Sequence, residues 1–500
     1  MNIVTILRRT ATDHADDVAI RIDDTEITYR DLLDRIQRFA TYLQSAGIIP
    51  GDRVGFLLPN GPDYVVGVFG TWCAGAIAVP LNSMFPDAPL RYAIEDSGVR
   101  LIVTRPEEVE RIRRVAGNDV TLLEAGSQGR MDAELAAAEP AHRVVPRLDE
   151  DESVIMYTSG STGVPKGVRQ THRNLTAHAD AVIDFHKLTP ADHVLNCMPL
   201  FHVGGLHLST VPILLRGGQL TFMPRWDVDR WLELALTLKP TYGGLISTMM
   251  IDVGNRTVSD PVNLESFKVC LFGGSRTPTA ALQRLEDGTG ICGTEMYGQT
   301  EQNGLAVSYR PGERRRLDAM GVPLEQVVQT RVVSLDTGFD VELSSSDVGE
   351  LWVRGDAVTP GYWNIDAPDK WSDGWLRTSD LVHRDEDGYL YYVDRVDDMI
   401  ISGGENVFPQ MVEEHLASHP GLAEVAVIGT THDRWVQQVT AIVVLRDGEL
   451  TAEDIAKWCT ENPNLTGMHK PKRIEIVDAI PRTGTGKINR PELKRMFAKS

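Results

Sequence analysis

Short apolar runs alternate with longer amphipathic ones from about residue 17 to about residue 340, and this alternation most constrains what the chain can fold into. Residues 29–47 place Leu32, Leu33, Ile36, Phe39 and Leu43 on one helical face, residues 53–58 follow as an apolar strand, and residues 64–74 are helical again. Runs at 101–104, 194–198, 219–222 and 268–272 are further strands. Strands that keep being separated by helices pair through crossovers, so an α/β chain with parallel sheets is expected.

The pattern shifts after residue 332. Residues 332–354 are β-rich and broken by turn residues such as Ser344-Ser345-Ser346-Asp347, which predicts a small β unit closing a large domain. A charged cluster, Asp394-Arg395-Val396-Asp397-Asp398, follows a strand at 389–393 and reads as a hinge. Beyond it come helices at 409–418 and 452–459 and strands at 425–428, 441–445 and 473–477, an α+β module of about a hundred residues. The expected domains are thus 1–394 and 395–500, since 500 residues exceed one comfortable core.

With 42% hydrophobic and 24% charged residues the chain can bury real cores. Its formal charge of -20 argues against nucleic acid or an anionic membrane as partner, because both want a basic surface. An anionic ligand must then be met by a local patch. One exists at the C-terminal end, where Lys470, Lys472, Arg473, Arg482, Lys487, Arg490, Lys494, Arg495 and Lys499 reverse the sign; a solvated tail is the plainer reading. The cysteines (Cys73, Cys197, Cys270, Cys292, Cys459) lack C-x-x-C spacing and are expected to be small buried residues in a reducing compartment. The N-terminus lacks an apolar targeting core, and the apolar run 65–81 is interrupted by Gly67, Gly70, Gly75 and Pro80, so the expectation is a cytoplasmic chain without a membrane span.

Tyr157-Thr158-Ser159-Gly160-Ser161-Thr162-Gly163-Val164-Pro165-Lys166-Gly167 packs hydroxyls, glycines and one lysine into a single turn after a strand. Glycines let backbone amides converge on an anion, hydroxyls add donors, and Lys166 adds charge, so this is a phosphate grip unless it is an ordinary surface turn. It differs from G-x-x-x-x-G-K-[ST], whose final hydroxyl holds magnesium; here the metal ligand must come from elsewhere. Tyr297-Gly298-Gln299-Thr300-Glu301 offers a hydroxyl beside a carboxylate, the pairing that touches a phosphate and holds its Mg²⁺. In Gly374-Trp375-Leu376-Arg377-Thr378-Ser379-Asp380 an aspartate follows a strand, where it can accept both hydroxyls of a ribose. Gly403-Gly404-Glu405-Asn406 is a turn that lets a ligand approach the backbone, and Thr483-Gly484-Thr485-Gly486-Lys487 is a loop able to bring Lys487 onto an anion.

In this order, over nearly the whole chain, these segments resemble the adenylate-forming superfamily of acyl- and aryl-CoA ligases, luciferases and peptide-synthetase adenylation domains. The resemblance implies a large N-terminal domain of two αβ subdomains plus a β subdomain and a small mobile C-terminal domain, with the active site between them. It implies that Thr158, Ser159, Gly160, Ser161, Thr162, Gly163 and Lys166 hold the β- and γ-phosphates of ATP, Thr300 the α-phosphate and Glu301 the Mg²⁺. Gly273, Gly274, Ser275, Glu295, Met296 and Tyr297 would border the adenine, Asp380 and Arg395 hold the ribose, and Lys487 bridge the carboxylate and the α-phosphate. Asp397 matches the pivot about which the C-terminal domain turns. Gly403 and Gly404 would then line a thiol tunnel, while Lys470 and Lys472 are placed like residues that contact the phosphates of coenzyme A.

The implied activity is ATP-dependent ligation of a small carboxylic acid to CoA through an acyl-adenylate. The acyl pocket would lie around His202, Val203, Gly204, Gly244, Gly298, Gln302 and Asn303, where many glycines leave room for an aromatic or medium-length acid. His202 is either a wall of that pocket or a core histidine. Ser379 and Asp394 stand where the family usually has glycine, and Arg276, Gln302 and Asn303 allow a polar substrate contact. A carrier-protein thiol, an amine or nitrite chemistry would replace CoA in a relative with another acceptor, and a non-catalytic nucleotide binder is the reading from another class; a homodimer is compatible with each.

Overall fold

The computed structural model describes every residue except 159–163, 275–278, 317, 343–346, 447, 449, 483–487 and 498–500. Two compact units result: Met1–Thr158, Val164–Thr330 and Val353–Gly374 form the first, Arg331–Trp352 and Trp375–Ser500 the second.

The first unit holds two sheets with helices against them. One runs Thr121–Glu124, Leu101–Thr104, Arg53–Leu57, Ile77–Pro80, Glu152–Thr158, Lys166–Thr171. All its pairs are parallel except the last, in which Thr158 faces Lys166 across an antiparallel stem. The other runs Ala319–Pro323, Val307–Ser308, Gly293–Tyr297, Val269–Gly273, Tyr242–Ile246, His193–Asn196, Gln219–Phe222, Val18–Ile22, Thr25–Thr28, parallel in its centre and antiparallel at both ends. The parallel sheets expected from the alternation are present, and only their edge pairs are antiparallel, where connections are too short for a crossover helix.

Helix Tyr29–Ser45 buries Leu32, Ile36, Phe39, Ala40 and Leu43, and Thr28 caps it by accepting the Asp31 amide at 3.1 Å. Burying each of its large apolar side chains stabilises by about 1.5–3 kcal/mol, so one polar substitution on this face would break the contact. Helix Pro62–Cys73 is buried all round except at its first turn. A Cβ on Gly67 would lie 2.4 Å from the Phe56 ring and one on Gly70 2.6 Å from Phe39, so both glycines serve close packing in the core. Among the described residues no helix is long and apolar enough to cross a membrane.

In the second unit, strands run in the order Gln329–Val333, Gly349–Arg354, Trp375–Arg384, Leu390–Arg395. A separate sheet runs Glu405–Val407, Ile400–Ser402, Val436–Leu445, Leu422–His432, with Arg473–Ile476 parallel to Val436–Leu445. Helices Pro409–Ala417 and Ala452–Glu461 bury Val412, Leu416, Ile455 and Cys459 against Val427, Ala441 and Val443. The strands expected at 425–428 and 441–445 prove longer, because buried Thr430 and Thr440 bond each other at 2.7 Å and extend the pairing through polar sequence. The strand expected at 389–393 runs over Leu390–Arg395, so Asp394 and Arg395 of the charged cluster end that strand, and Asp394 is buried. Four cysteines are buried as expected; Cys292 is exposed.

Candidate active site

Lys166 and Glu301 converge on one aromatic ring. Lys166 Nζ lies 5.4 Å from the centroid of Tyr362, and the Tyr362 hydroxyl donates to Glu301 Oε1 at 2.7 Å. Thr158 stands opposite Lys166 in the stem, while Ser159, Gly160, Ser161, Thr162 and Gly163 lie outside the described residues. The segment 359–363 crosses between the strand Lys166–Thr171 and the turn Thr300–Gln302. The Thr359 amide donates to Glu301 O at 2.8 Å, the Arg169 amide to Gly361 O at 3.1 Å, and the Trp363 amide to Gly167 O at 2.7 Å. Gln170 Nε2 adds a bond to Thr300 O at 3.1 Å, and Thr300 is buried. A cation and a carboxylate held this way, beside a hydroxyl-bearing stem, can meet polyphosphate oxygens and a hard divalent ion.

Gly273 and Met296 are paired at the C-terminal ends of parallel strands, the place where α/β sheets take ligands. A Cβ on Gly273 would lie 2.3 Å from Met296 O, which is why only glycine fits there; Gly274, at φ 78°, has nothing within 4 Å of its Cβ position. Glu295 and Tyr297 flank Met296 on the same strand, whereas Ser275 and Arg276 lie outside the described residues.

The glycines expected to leave acyl space instead permit close packing. Met198 lies between two of them: a Cβ on Gly204 would be 3.1 Å from its Sδ and one on Gly244 2.6 Å from its Cε. A Cβ on Gly298 would be 2.3 Å from Gly304 O. Val203, Gln302 and Asn303 are buried, and the αL conformation of Asn303 (φ 58°) ends the Thr300–Gln302 turn. His202 is exposed, with Nδ1 accepting the Gly204 amide at 3.2 Å, so it is no core histidine.

In the second unit, Arg395 Nη1 lies 3.2 Å from Asp380 Oδ1 across the hairpin that pairs these two residues. Ser379 takes a left-handed φ of 62°, the conformation a glycine adopts without strain, and its amide bonds buried Glu350 Oε1 at 3.0 Å. Asp394 accepts the Arg395 amide at 2.7 Å and the Gln410 amide, in the first turn of helix Pro409–Ala417, at 2.8 Å. Burial outweighs these bonds and pushes its carboxyl up to about 6. Lys494 Nζ donates to the backbone carbonyl of Asp397 at 3.2 Å. Lys487 lies outside the described residues, between Arg482 and Ile488, which pair with each other.

Gly403 and Gly404, at φ 60° and 88°, make the tight turn between Ile400–Ser402 and Glu405–Val407. The Gly403 amide donates to Trp435 O at 3.0 Å, and Lys472 Nζ lies 5.7 Å from the Trp435 ring. Trp435 is stacked on His432 at 4.2 Å, and the next residue, Val436, is strained at φ 68° and 72% exposed. Lys470 points elsewhere, donating to Thr460 Oγ1 at 3.3 Å.

Residues 7–363 match the family model of AMP-binding enzymes, and residues 411–487 that of the AMP-binding enzyme C-terminal domain. The chain belongs to the AMP-binding enzyme family. A feruloyl-CoA synthase of Amycolatopsis sp is 34% identical over 98% of both chains. A 2-succinylbenzoate–CoA ligase of Bacillus anthracis is 31% identical over 96% of each. The crystal structure of ATP-bound MatB from Rhodopseudomonas palustris superposes with a TM-score of 0.90 at 28% identity, covering 100% of this chain and 99% of the other. Two residues at the heart of this AMP-binding enzyme's geometry escaped sequence reasoning. Tyr362 follows Pro360-Gly361 and precedes another aromatic, the only local signal for it; Trp435 has none beyond being an aromatic that follows the polar run His432-Asp433-Arg434.

Proposed function

We propose that this AMP-binding enzyme is an ATP- and Mg²⁺-dependent carboxylic acid:CoA ligase acting on an aromatic or medium-length acid. The observation that carries the reading is the Lys166–Tyr362–Glu301 group, a phosphate-seeking cation and a metal-seeking carboxylate joined through one ring. Thr158, Lys166 and residues 159–163 take the β- and γ-phosphates, Thr300 takes the α-phosphate, and Asp380 with Arg395 takes the ribose. Glu301 suits Mg²⁺, which binds through one or two carboxylates plus phosphates and water, and one Glu301 oxygen is already oriented by Tyr362. When bound, the ion supplies positive charge to the phosphates.

The acid's carboxylate attacks the α-phosphorus and pyrophosphate leaves. No protein nucleophile is needed: alignment and charge neutralisation suffice, and Lys487 contributes a positive charge between carboxylate and α-phosphate. Residues 395–500 then turn about Asp397. The CoA thiol attacks the acyl carbonyl and AMP departs. Gly403 and Gly404 lie along the thiol's path, and Lys470 and Lys472 meet the nucleotide phosphates. The aryl acids in the names of two relatives support an aromatic substrate, and unpaired cysteines suit the cytoplasm, where ATP and CoA are supplied. Pyrophosphate release is to be measured against a panel of acids with and without CoA. Adenylate formation from the best acid, with no thioester ever produced, would overturn the CoA assignment.

A further inference from the structure

Two parts of the site are held by one residue outside it. Asp96, half-buried, lies in the last turn of helix Asp87–Ser97. Its Oδ2 accepts the Tyr157 hydroxyl at 2.6 Å. Asn364 Nδ2 donates to the Asp96 backbone O at 2.9 Å and lies 3.3 Å from Oδ1, and Trp363 Nε1 donates to the same backbone O at 3.1 Å. Tyr157 precedes Thr158 in the stem and pairs with Gly167, the neighbour of Lys166. Trp363 and Asn364 directly follow Tyr362, whose hydroxyl bonds Glu301.

The fit among these groups is close. A Cβ on Gly167 would lie 3.1 Å from Tyr157 Cζ and 3.2 Å from Trp363 Cβ, so both aromatic residues bonded to Asp96 lie against the strand that carries Lys166. The helix end that presents Asp96 is itself fixed. Gly98 closes it in the left-handed conformation, φ 61°, and Arg53 donates to Ser97 O at 2.7 Å and to Gly98 O at 2.9 Å. The same guanidinium lies 6.0 Å from the Trp363 ring centroid. Among the described residues Asp96 makes no ion pair; its oxygens go to neutral donors from the two segments. Burial, with the Asp96 charge beside it, pushes the Tyr157 phenol up, so it stays protonated and donates.

We infer that Asp96 is a positioning residue for ATP and Mg²⁺, bonding the phosphate stem through Tyr157 and the segment that orients Glu301 through Trp363 and Asn364. This rests on the ligase reading above for the identity of the ligands. In that assignment Asp96 touches neither ligand and acts through its partners. Groups that hold a substrate work best when the residues behind them are locked by hydrogen bonds, and a displacement of about 1 Å can cost about 10²-fold in rate.

Binding of ATP with Mg²⁺ to the full-length enzyme is measured by calorimetry, and pyrophosphate release is titrated in ATP, Mg²⁺ and acid. Asp96→Ala should weaken ATP–Mg²⁺ binding and raise the Mg²⁺ requirement by about 10- to 100-fold, the usual cost of losing an outer partner of a ligand-holding group. Apparent affinity for the acid, and thioester formation from a supplied acyl-adenylate, should stay nearly unchanged. Asp96→Asn keeps an acceptor for the Tyr157 hydroxyl and should restore most of the binding; a variant as weak as alanine would overturn the hydrogen-bond basis. Tyr157→Phe keeps the ring beside Gly167, removes only the hydroxyl, and stands in if Asp96→Ala does not fold. It should weaken ATP–Mg²⁺ binding too, and adding it to Asp96→Ala should cost nothing further, because both remove one bond. ATP and Mg²⁺ dependence unmoved in the folded variants overturns the inference, and so does an equal loss in the adenylate-to-thioester step, which a merely structural role would give. If the unchanged enzyme releases no pyrophosphate with any acid, the ligase reading fails, and the calorimetric comparison still decides whether Asp96 positions ATP.

Discussion

Replacing Tyr362 by phenylalanine separates the two things its side chain does. The ring would stay, packed edge-on against Trp371 at 5.6 Å and under Lys166 Nζ at 5.4 Å, so cation and fold keep their support. Only the hydroxyl that donates to Glu301 Oε1 at 2.7 Å is removed. A hydrogen bond to a charged group contributes about 1.5–3 kcal/mol. Loss of an outer partner of a metal ligand typically costs 10–100-fold in metal affinity, roughly the same energy. Tyr362→Phe should therefore raise the Mg²⁺ concentration for half-maximal pyrophosphate release by about 10- to 100-fold, with the apparent affinity for the acid nearly unchanged. Titrating Mg²⁺ at saturating ATP and acid reads this, with Glu301→Gln as the stronger companion. If Glu301→Gln shifts the Mg²⁺ requirement and Tyr362→Phe does not, the hydroxyl is not orienting the ligand. If neither shifts it, Glu301 does not bind the metal.

Lys487→Ala should suppress acid-dependent pyrophosphate exchange by about 10²- to 10³-fold while thioester formation from a supplied acyl-adenylate persists; equal collapse of both steps in a folded protein would refute the alternating role. Lys470→Glu with Lys472→Glu should weaken CoA use and spare adenylate formation, and salt should narrow the gap by screening over about 8–10 Å; normal CoA kinetics would count against the basic patch. Asp394 predicts a pH slope: its folded carboxyl is raised to about 6, above its unfolded value, so its share of stability is full below the unfolded value and is lost as pH rises through about 6. Asp394→Asn should flatten urea-denaturation stability between about pH 4 and 7 by roughly 2–3 kcal/mol, and an unchanged slope would show that Asp394 does not cause it.

Periodicity made much of the first unit legible. Helix Tyr29–Ser45 and strands Arg53–Leu57, Leu101–Thr104 and Gln219–Phe222 lie where apolar spacing puts them, because each buries the residues that create the pattern. The antiparallel partner Lys166–Thr171 was not among the expected strands, although the connection from Thr158 is too short for a crossover. Other features have no local signature. Tyr362 meets Glu301 across 61 residues of sequence, and no spacing rule connects them. A glycine in sequence does not say whether it opens space or lets two groups touch; Met198 against Gly204 and Gly244 settles that only in three dimensions. Ser379 and Val436 hold left-handed backbone without glycine, so the usual sequence marker of such a turn is missing at both.

The placement of Lys166 relative to Glu301 follows from backbone more than from side chains. Segment 359–363 bonds the strand that carries Lys166 through Gly361 O and the Trp363 amide, and bonds the Glu301 carbonyl through the Thr359 amide. Thr359 Oγ1 also donates to Arg169 O, and Val168 bridges Tyr362. These contacts involve none of residues 159–163, so the backbone carrying Lys166 and the backbone carrying Glu301 are joined without that segment. Charge stabilisation is most effective when donors need not reorganise as charge develops. Substitutions within 159–163 should accordingly act on nucleotide affinity, whereas disturbing 359–363 should act on the Mg²⁺ requirement through Glu301, two effects that the same titrations distinguish.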